Sequence, residues 1–153
     1  MSKLKIYMDC CCYNRIFDDR SYPNIYLDRN SVMIILELAE KGMFELVGSQ
    51  VLFKEINQTP NLQRREKLQV LYSLCRDEIQ MTKDIAVRAL EIRNQSNIRM
   101  NDSLHLASCE LANIDVFLTV DRKFKNNANR LPARIKVVGP TEWLLEVING
   151  YND

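Results

Sequence analysis

Short apolar runs alternating with helix-patterned stretches predict an α/β sandwich, a parallel sheet covered by helices on both faces. Three observations carry this. The strand-like runs at 4–8, 44–48, 116–120 and 135–138 are short and almost continuously apolar, as strands buried on both faces are. Helical periodicity fills the intervals between them. No linker, repeat or low-complexity tract interrupts the 153 residues, so the chain reads as one domain over 1–153.

In order, residues 4–8 form the first strand, ending at Asp9. Between 28 and 41, Val32, Ile35, Leu36 and Ala39 recur at helical spacing, and Gly42 follows as a stop. Residues 44–48 are the second strand. Ser49 then caps a helix from Gln50 to about Asn57, with Pro60 beyond its end. Asn61 opens another helix carrying Arg64, Arg65, Leu68, Leu71 and Leu74. Thr82 caps the next, with Ile85, Ala89 and Ile92 on one face, which fades at 94–97. A helix over 100–113 runs through a very short turn into the strand 116–120. A small basic helix at 122–128, a strand at 135–138 and a helix at 141–148 complete the chain.

Composition narrows the setting. Hydrophobic residues at 46% and charged ones at 27% are ordinary for a globular protein. No apolar run approaches a membrane span, and the opening Met-Ser-Lys-Leu-Lys lacks the apolar core of a signal peptide. Five cysteines, an odd number with Cys10, Cys11 and Cys12 consecutive, fit a reducing cytoplasm better than a disulfide framework. Zinc motifs space their ligands two or more residues apart, so the triplet reads as small thiols at a strand end, packed as weak hydrophobes.

Four carboxylates stand where carboxylates are out of character: Asp9, Glu55, Asp102 and Asp121. Asp9 and Asp121 end apolar strands. Glu55 and Asp102 fall in the apolar sectors of their helices, Glu55 between Val51 and Leu52, and Asp102 with Leu106 and Cys109. Such acids are costly unless paired, hydrogen-bonded or bound to a cation. Ligands of open parallel sheets bind beyond the carboxyl ends of the strands, where Asp9 and Asp121 are placed. Two like charges about 5 Å apart repel by roughly 3 kcal/mol at an effective dielectric of 20. Four converging acids therefore call for a cation, and their hard oxygen donors suit Mg²⁺ or Mn²⁺. Thr119, two residues before Asp121, faces the same side if the strand persists and can orient that carboxylate.

A net charge of +1 does not mark a strongly basic nucleic-acid binder. Its distribution does more. Arg122, Lys123, Lys125, Arg130, Arg134 and Lys136 follow Asp121 with no acid among them. A basic strip beside an acidic site would hold phosphates near a cation, with Arg122, Lys123 and Lys125 nearest, and on charge alone it reads equally as a solvated loop and helix surface.

Tyr7-Met8-Asp9, Ser49-Gln50-Val51-Leu52-Phe53-Lys54-Glu55-Ile56, Asn101-Asp102-Ser103-Leu104-His105-Leu106-Ala107 and Leu118-Thr119-Val120-Asp121 together resemble the PIN-domain ribonucleases. The chain is most similar to the small bacterial and archaeal kind that includes VapC-type toxins. The resemblance implies a three-layer α/β/α sandwich with a central parallel sheet and endoribonuclease activity dependent on Mg²⁺ or Mn²⁺. For the toxin branch it also implies a homodimer and inhibition by an antitoxin protein. Asp9, Glu55, Asp102 and Asp121 match the family's acidic positions. Cys11 stands where many relatives carry a small polar residue, and Asn14 is the nearest substitute amide.

Two rivals remain. One is a catalytically silent module of the same fold that binds RNA or protein. The other is a haloacid-type phosphatase, but its Asp-x-Asp pair is missing from Asp9-Cys10-Cys11. His105, the one histidine, reads as a satisfied packing residue rather than a proton carrier. Trp143 and Tyr26 read as core or partner surface, and Asp18-Asp19 as a solvated turn.

Overall fold

The computed structural model describes residues 3–132 and 135–152. Among these, five strands form one sheet in the order β3-β2-β1-β4-β5, and every neighbouring pair is parallel. The strands are β1 Lys5–Met8, β2 Glu45–Ser49, β3 Asp77–Ile79, β4 Val116–Leu118 and β5 Lys136–Val138. The helices are α1 Cys10–Asn14, α2 Pro23–Glu40, α3 Gln50–Asn57, α4 Leu62–Tyr72, α5 Lys83–Gln95, α6 Met100–Leu111, α7 Arg122–Asn129 and α8 Pro140–Asn152. A 3₁₀ turn at Arg15–Phe17 links α1 to α2. Helices flank the sheet in two groups: α2 packs on α8, while α3 packs on α4 and α6, and α5 on α6. No described helix is long and apolar enough to cross a membrane. Arg134 lies outside the described residues.

The central strands are apolar because both faces are covered. Ile6, Tyr7 and Met8 of β1 and Phe117 and Leu118 of β4 are fully buried. Registers Ile6↔Val116 and Tyr7↔Phe117 place them side by side. Trp143 is core, edge-on to Phe44 with ring centroids 5.3 Å apart. Gly42 adopts a φ of 82° just beyond α2, a left-handed stop that glycine takes without strain.

Several elements depart from the sequence expectation. The helix expected from residue 28 begins at Pro23, since proline at the first turn presets helical φ. Its early side chains, Tyr26 and Leu27, are exposed, so core-facing periodicity starts only later. β3 was not expected. As an edge strand paired only with β2, Asp-Glu-Ile lacks the continuous apolar run of a central strand. The cysteine triplet lies on α1 rather than along a strand end. β4 stops at Leu118, short of residue 120, so the pleat does not carry Thr119 and Asp121 to one side. Asp18 is no simple solvated turn either, because it pairs with Arg15 at 3.1 Å and Arg64 at 2.9 Å.

Candidate active site

The strand order reverses beside β1: the chain first builds β2 and β3 on one side, then β4 and β5 on the other. The crevice beyond the carboxyl ends of β1 and β4 is therefore the switch point at which open parallel sheets bind ligands. Asp9 follows β1 and Asp121 follows β4 into this crevice, and the Asp9 N–H donates to the Leu118 carbonyl at 3.3 Å.

Both residues are helix N-caps. Asp9 Oδ1 accepts from the Cys12 N–H of α1 at 3.3 Å and from Cys11 Sγ at 2.7 Å. Asp121 Oδ1 accepts from the Phe124 N–H of α7 at 3.0 Å. Asp9 is only 5% exposed, and burial, with Cys11 adding, holds its carboxyl well above the ordinary carboxylate range. Thr119 is buried beside it. Its Oγ1 accepts from the Asp121 N–H at 3.1 Å and lies 3.5 Å from Cys11 Sγ, so it ties the Asp9 turn to the Asp121 turn.

Asp102 lies in the first turn of α6, and its carboxyl makes no hydrogen bond among the described residues. It shares a cavity of about 60 Å³ with Asp121, Arg99 and Lys123. Its carboxyl is raised above the usual value, first by burial and then by the charges of Asp121 and Glu55, against the pull of His105 and Arg99. Glu55 lines a neighbouring cavity of about 300 Å³ with Asn101 and Leu104 of α6. The four acids thus occupy one end of the sheet but not one cavity. Among the described residues, no three carboxylates come within 4.8 Å of one another.

His105 is buried and satisfied, as the sequence reading expects, but its partner could not be read from spacing. It is 1% exposed, and a site carboxylate satisfies it. Its Nε2 bonds Glu55 and its Nδ1 bonds the Tyr7 hydroxyl. That hydroxyl in turn lies 2.7 Å from Ser49 Oγ, which accepts from the Leu52 N–H at 3.0 Å. The proton roles follow the state of the imidazole: neutral and protonated at Nε2, it accepts from Tyr7 and donates to Glu55, and protonated on both nitrogens it donates to both. Phe117 packs on both Tyr7 and His105, fixing the imidazole plane. Because Tyr7 and His105 are 98 residues apart, no local pattern announces the contact.

Asn14 does not aim at the acids. Its Nδ2 donates to the Cys10 carbonyl at 3.0 Å, and its Oδ1 accepts from Arg64 Nε at 2.8 Å. The basic strip is divided. Lys125 pairs with Glu142 at 2.9 Å and Lys136 pairs with Glu146, both acids coming from α8. Arg122 and Lys123 are exposed, and Lys123 borders the cavity of Asp102 and Asp121.

The donors suit a hard cation in part. Asp102 and the second oxygen of Asp121 are hydrogen-bond-free carboxylate groups on one cavity, and divalent oxygen-seeking ions take such ligands. Asp9 and Glu55 are held by Cys11 and His105 respectively.

Comparison with known proteins places this geometry. A PIN domain family model matches residues 23–130, which include Glu55, Asp102 and Asp121 but not Asp9. No curated protein matches the sequence. Among solved structures, a toxin–antitoxin complex from Klebsiella pneumoniae is similar at 17% identity and a TM-score of 0.59, covering 88% of this chain and 97% of that one. VapBC2 from Rickettsia felis, bound to a DNA fragment from their promoter, is similar at 20% identity and a TM-score of 0.59, covering 86% and 98%. At these identities the likeness is one of fold. With a family model matching more than half its length, the chain belongs to the PIN domain family.

Proposed function

We propose that this chain is a metal-dependent endoribonuclease of the VapC type, the toxin of a toxin–antitoxin pair. PIN domains are typically nucleases and generally use divalent metals. The observation that carries the reading is the pairing of Asp102 and Asp121 across one small cavity at the switch point of the sheet. The relatives in fold are toxin–antitoxin complexes, which supports an antitoxin partner.

Asp102 and Asp121 would hold the cation, with Asp9 and Glu55 completing the acidic set. Mg²⁺ or Mn²⁺, when bound, supplies positive charge that polarises a phosphate and acidifies water. The chain's own residues do the rest. The hydrogen-bond relay from Ser49 through Tyr7 and His105 fixes the Glu55 carboxylate against rotation. Thr119 holds the backbone turn that presents Asp121. Arg122 and Lys123 stand at the rim, where their charge attracts RNA phosphates and sets the backbone against the acids.

The silent-module reading is favoured by one observation: Glu55 and Asp9 already have hydrogen-bond partners in His105 and Cys11. Cleavage separates the two. The purified chain should cut single-stranded RNA in Mg²⁺ or Mn²⁺ and stop on chelation, and Asp102→Asn should slow cleavage by at least about 100-fold. Binding of RNA without cleavage under any divalent cation would establish the silent module instead.

A further inference from the structure

The nuclease reading gives the consecutive cysteines no role beyond the bond from Cys11 to Asp9, yet the fold gathers two of them around that acid. β1 ends at Met8 and α1 begins at Cys10, so the chain turns at once and lays Cys11 and Cys12 back over the Asp9 carboxylate. A carboxylate oxygen of Asp9, Cys11 Sγ and Cys12 Sγ all lie within 4.8 Å of one another. No other three His, Cys, Asp or Glu side chains among the described residues come so close. The ligand spacing of zinc motifs misses this site, because the turn after Asp9, and not the distance along the chain, brings the donors together.

We propose that Asp9, Cys11 and Cys12 form a binding site for a thiophilic divalent cation of the Zn²⁺ class. Two sulfurs each about 2.3 Å from a tetrahedral centre stand about 3.8 Å apart, within the observed spread of the donors. Cys11 Sγ and Asp9 Oδ1, 2.7 Å apart, part by roughly an ångström to flank one centre, Cys12 Sγ gives up its bond to the Leu118 carbonyl at 3.4 Å, and water takes the fourth position. On binding, two sulfur–metal bonds form, and each thiol still protonated loses its S–H bond and passes the proton to the buffer. Entry is from the side of Cys11, which is half-buried, whereas Cys12 is fully enclosed. Mg²⁺ and Mn²⁺ prefer oxygen donors and do not compete for thiolates, so the two classes of cation separate by chemistry. The donor set stands on geometry alone. Its consequence, that Zn²⁺ withdraws Asp9 from the acidic set and brakes cleavage, rests on the nuclease reading.

The test is a titration of the reduced full chain with Co²⁺, followed by the thiolate-to-cobalt charge-transfer absorbance in the near ultraviolet and then displaced by Zn²⁺. One equivalent should saturate the band, with proton release on Zn²⁺ binding in weak buffer. Cys11→Ser should abolish the band and weaken Zn²⁺ by more than about 100-fold, since losing even an outer-shell partner costs about 10- to 100-fold. Cys11 is the residue of choice because its half-buried side chain can be changed without opening the core. Cys10→Ser and Cys75→Ser should leave the band intact. Absence of a thiolate band in the parent chain, its survival in Cys11→Ser, or its loss in Cys75→Ser would each overturn the site. RNA cleavage enters none of these readouts, so failure of the nuclease reading would leave this result standing.

Discussion

Asp102 shows how a single residue balances two opposed effects. Its place in the first turn of α6 puts it at the positive end of the helix dipole, which favours the ionised form. Burial and the facing acids oppose that, and they win, because the net shift is upward from 3.8. A carboxyl whose folded value is raised stabilises the fold fully below its unfolded value. That contribution is lost as pH rises through the folded value. Metal-free Asp102→Asn should therefore match the parent near pH 3.5 and become the more stable chain as pH rises toward neutrality. The gain should be small, because solvent screens the charge of a carboxyl that is only partly buried. Melting curves at several pH values in chelator would show it, and a constant difference across pH would contradict it. At this scale, acids at strand tips and in apolar helix sectors were legible from local pattern. The link from Glu55 through His105 to Tyr7 was not, since those partners are 50 and 98 residues apart.

Strands with apolar runs announced themselves, the edge strand β5 included, and the polar edge strand β3 did not. β1 and β4 carry apolar runs because helices cover both sides, while the edge strand β3 offers Asp-Glu-Ile and gives no such signal. What holds β3 in place is polar. The Tyr72 hydroxyl donates to Glu78 at 2.7 Å and lies 3.2 Å from the Ser49 carbonyl, bridging β2 and β3. The hydroxyl end of its side chain lies against Gly48, where an added Cβ would sit 2.5 Å from Tyr72 Cε2 and from its hydroxyl oxygen. Gly48→Ala should cost about 1–3 kcal/mol in urea unfolding, with part of it recovered when Tyr72→Leu is added. A cost within about 0.5 kcal/mol, the usual range for surface changes, would show that Tyr72 is not wedged there. The basic helix α7 makes the converse point. Its charges were legible, but their partners Glu142 and Glu146 on α8 were not. Arg122→Gln with Lys123→Gln should flatten the salt dependence of RNA binding by about 0.7 per lost single-strand contact. Lys125→Gln should do less, because Glu142 already neutralises it. Equal flattening by Lys125→Gln would show that the ion pair opens to RNA.

For the whole molecule, alternation of apolar runs with helical periodicity was enough for the parallel sheet, and the sheet order then explains where the acids go. Tips of strands flanking the reversal in strand order meet at one crevice, which brings Asp9 and Asp121 together from opposite ends of the chain. How the acids divide among cavities depends on helix placement and hydrogen bonding, neither of which a pattern along the chain records. The central claim is that Asp102 and Asp121 hold a hard divalent cation. Thermal melting of the parent and of Asp102→Asn, each with and without Mn²⁺, tests it most directly. A cation at 100 times its dissociation constant adds about 2.7 kcal/mol to the folded state, which is about 5–10 °C for a chain of this size. The parent should show that rise and Asp102→Asn should lose most of it. Equal Mn²⁺ shifts in the two proteins, or none in the parent, would contradict the account.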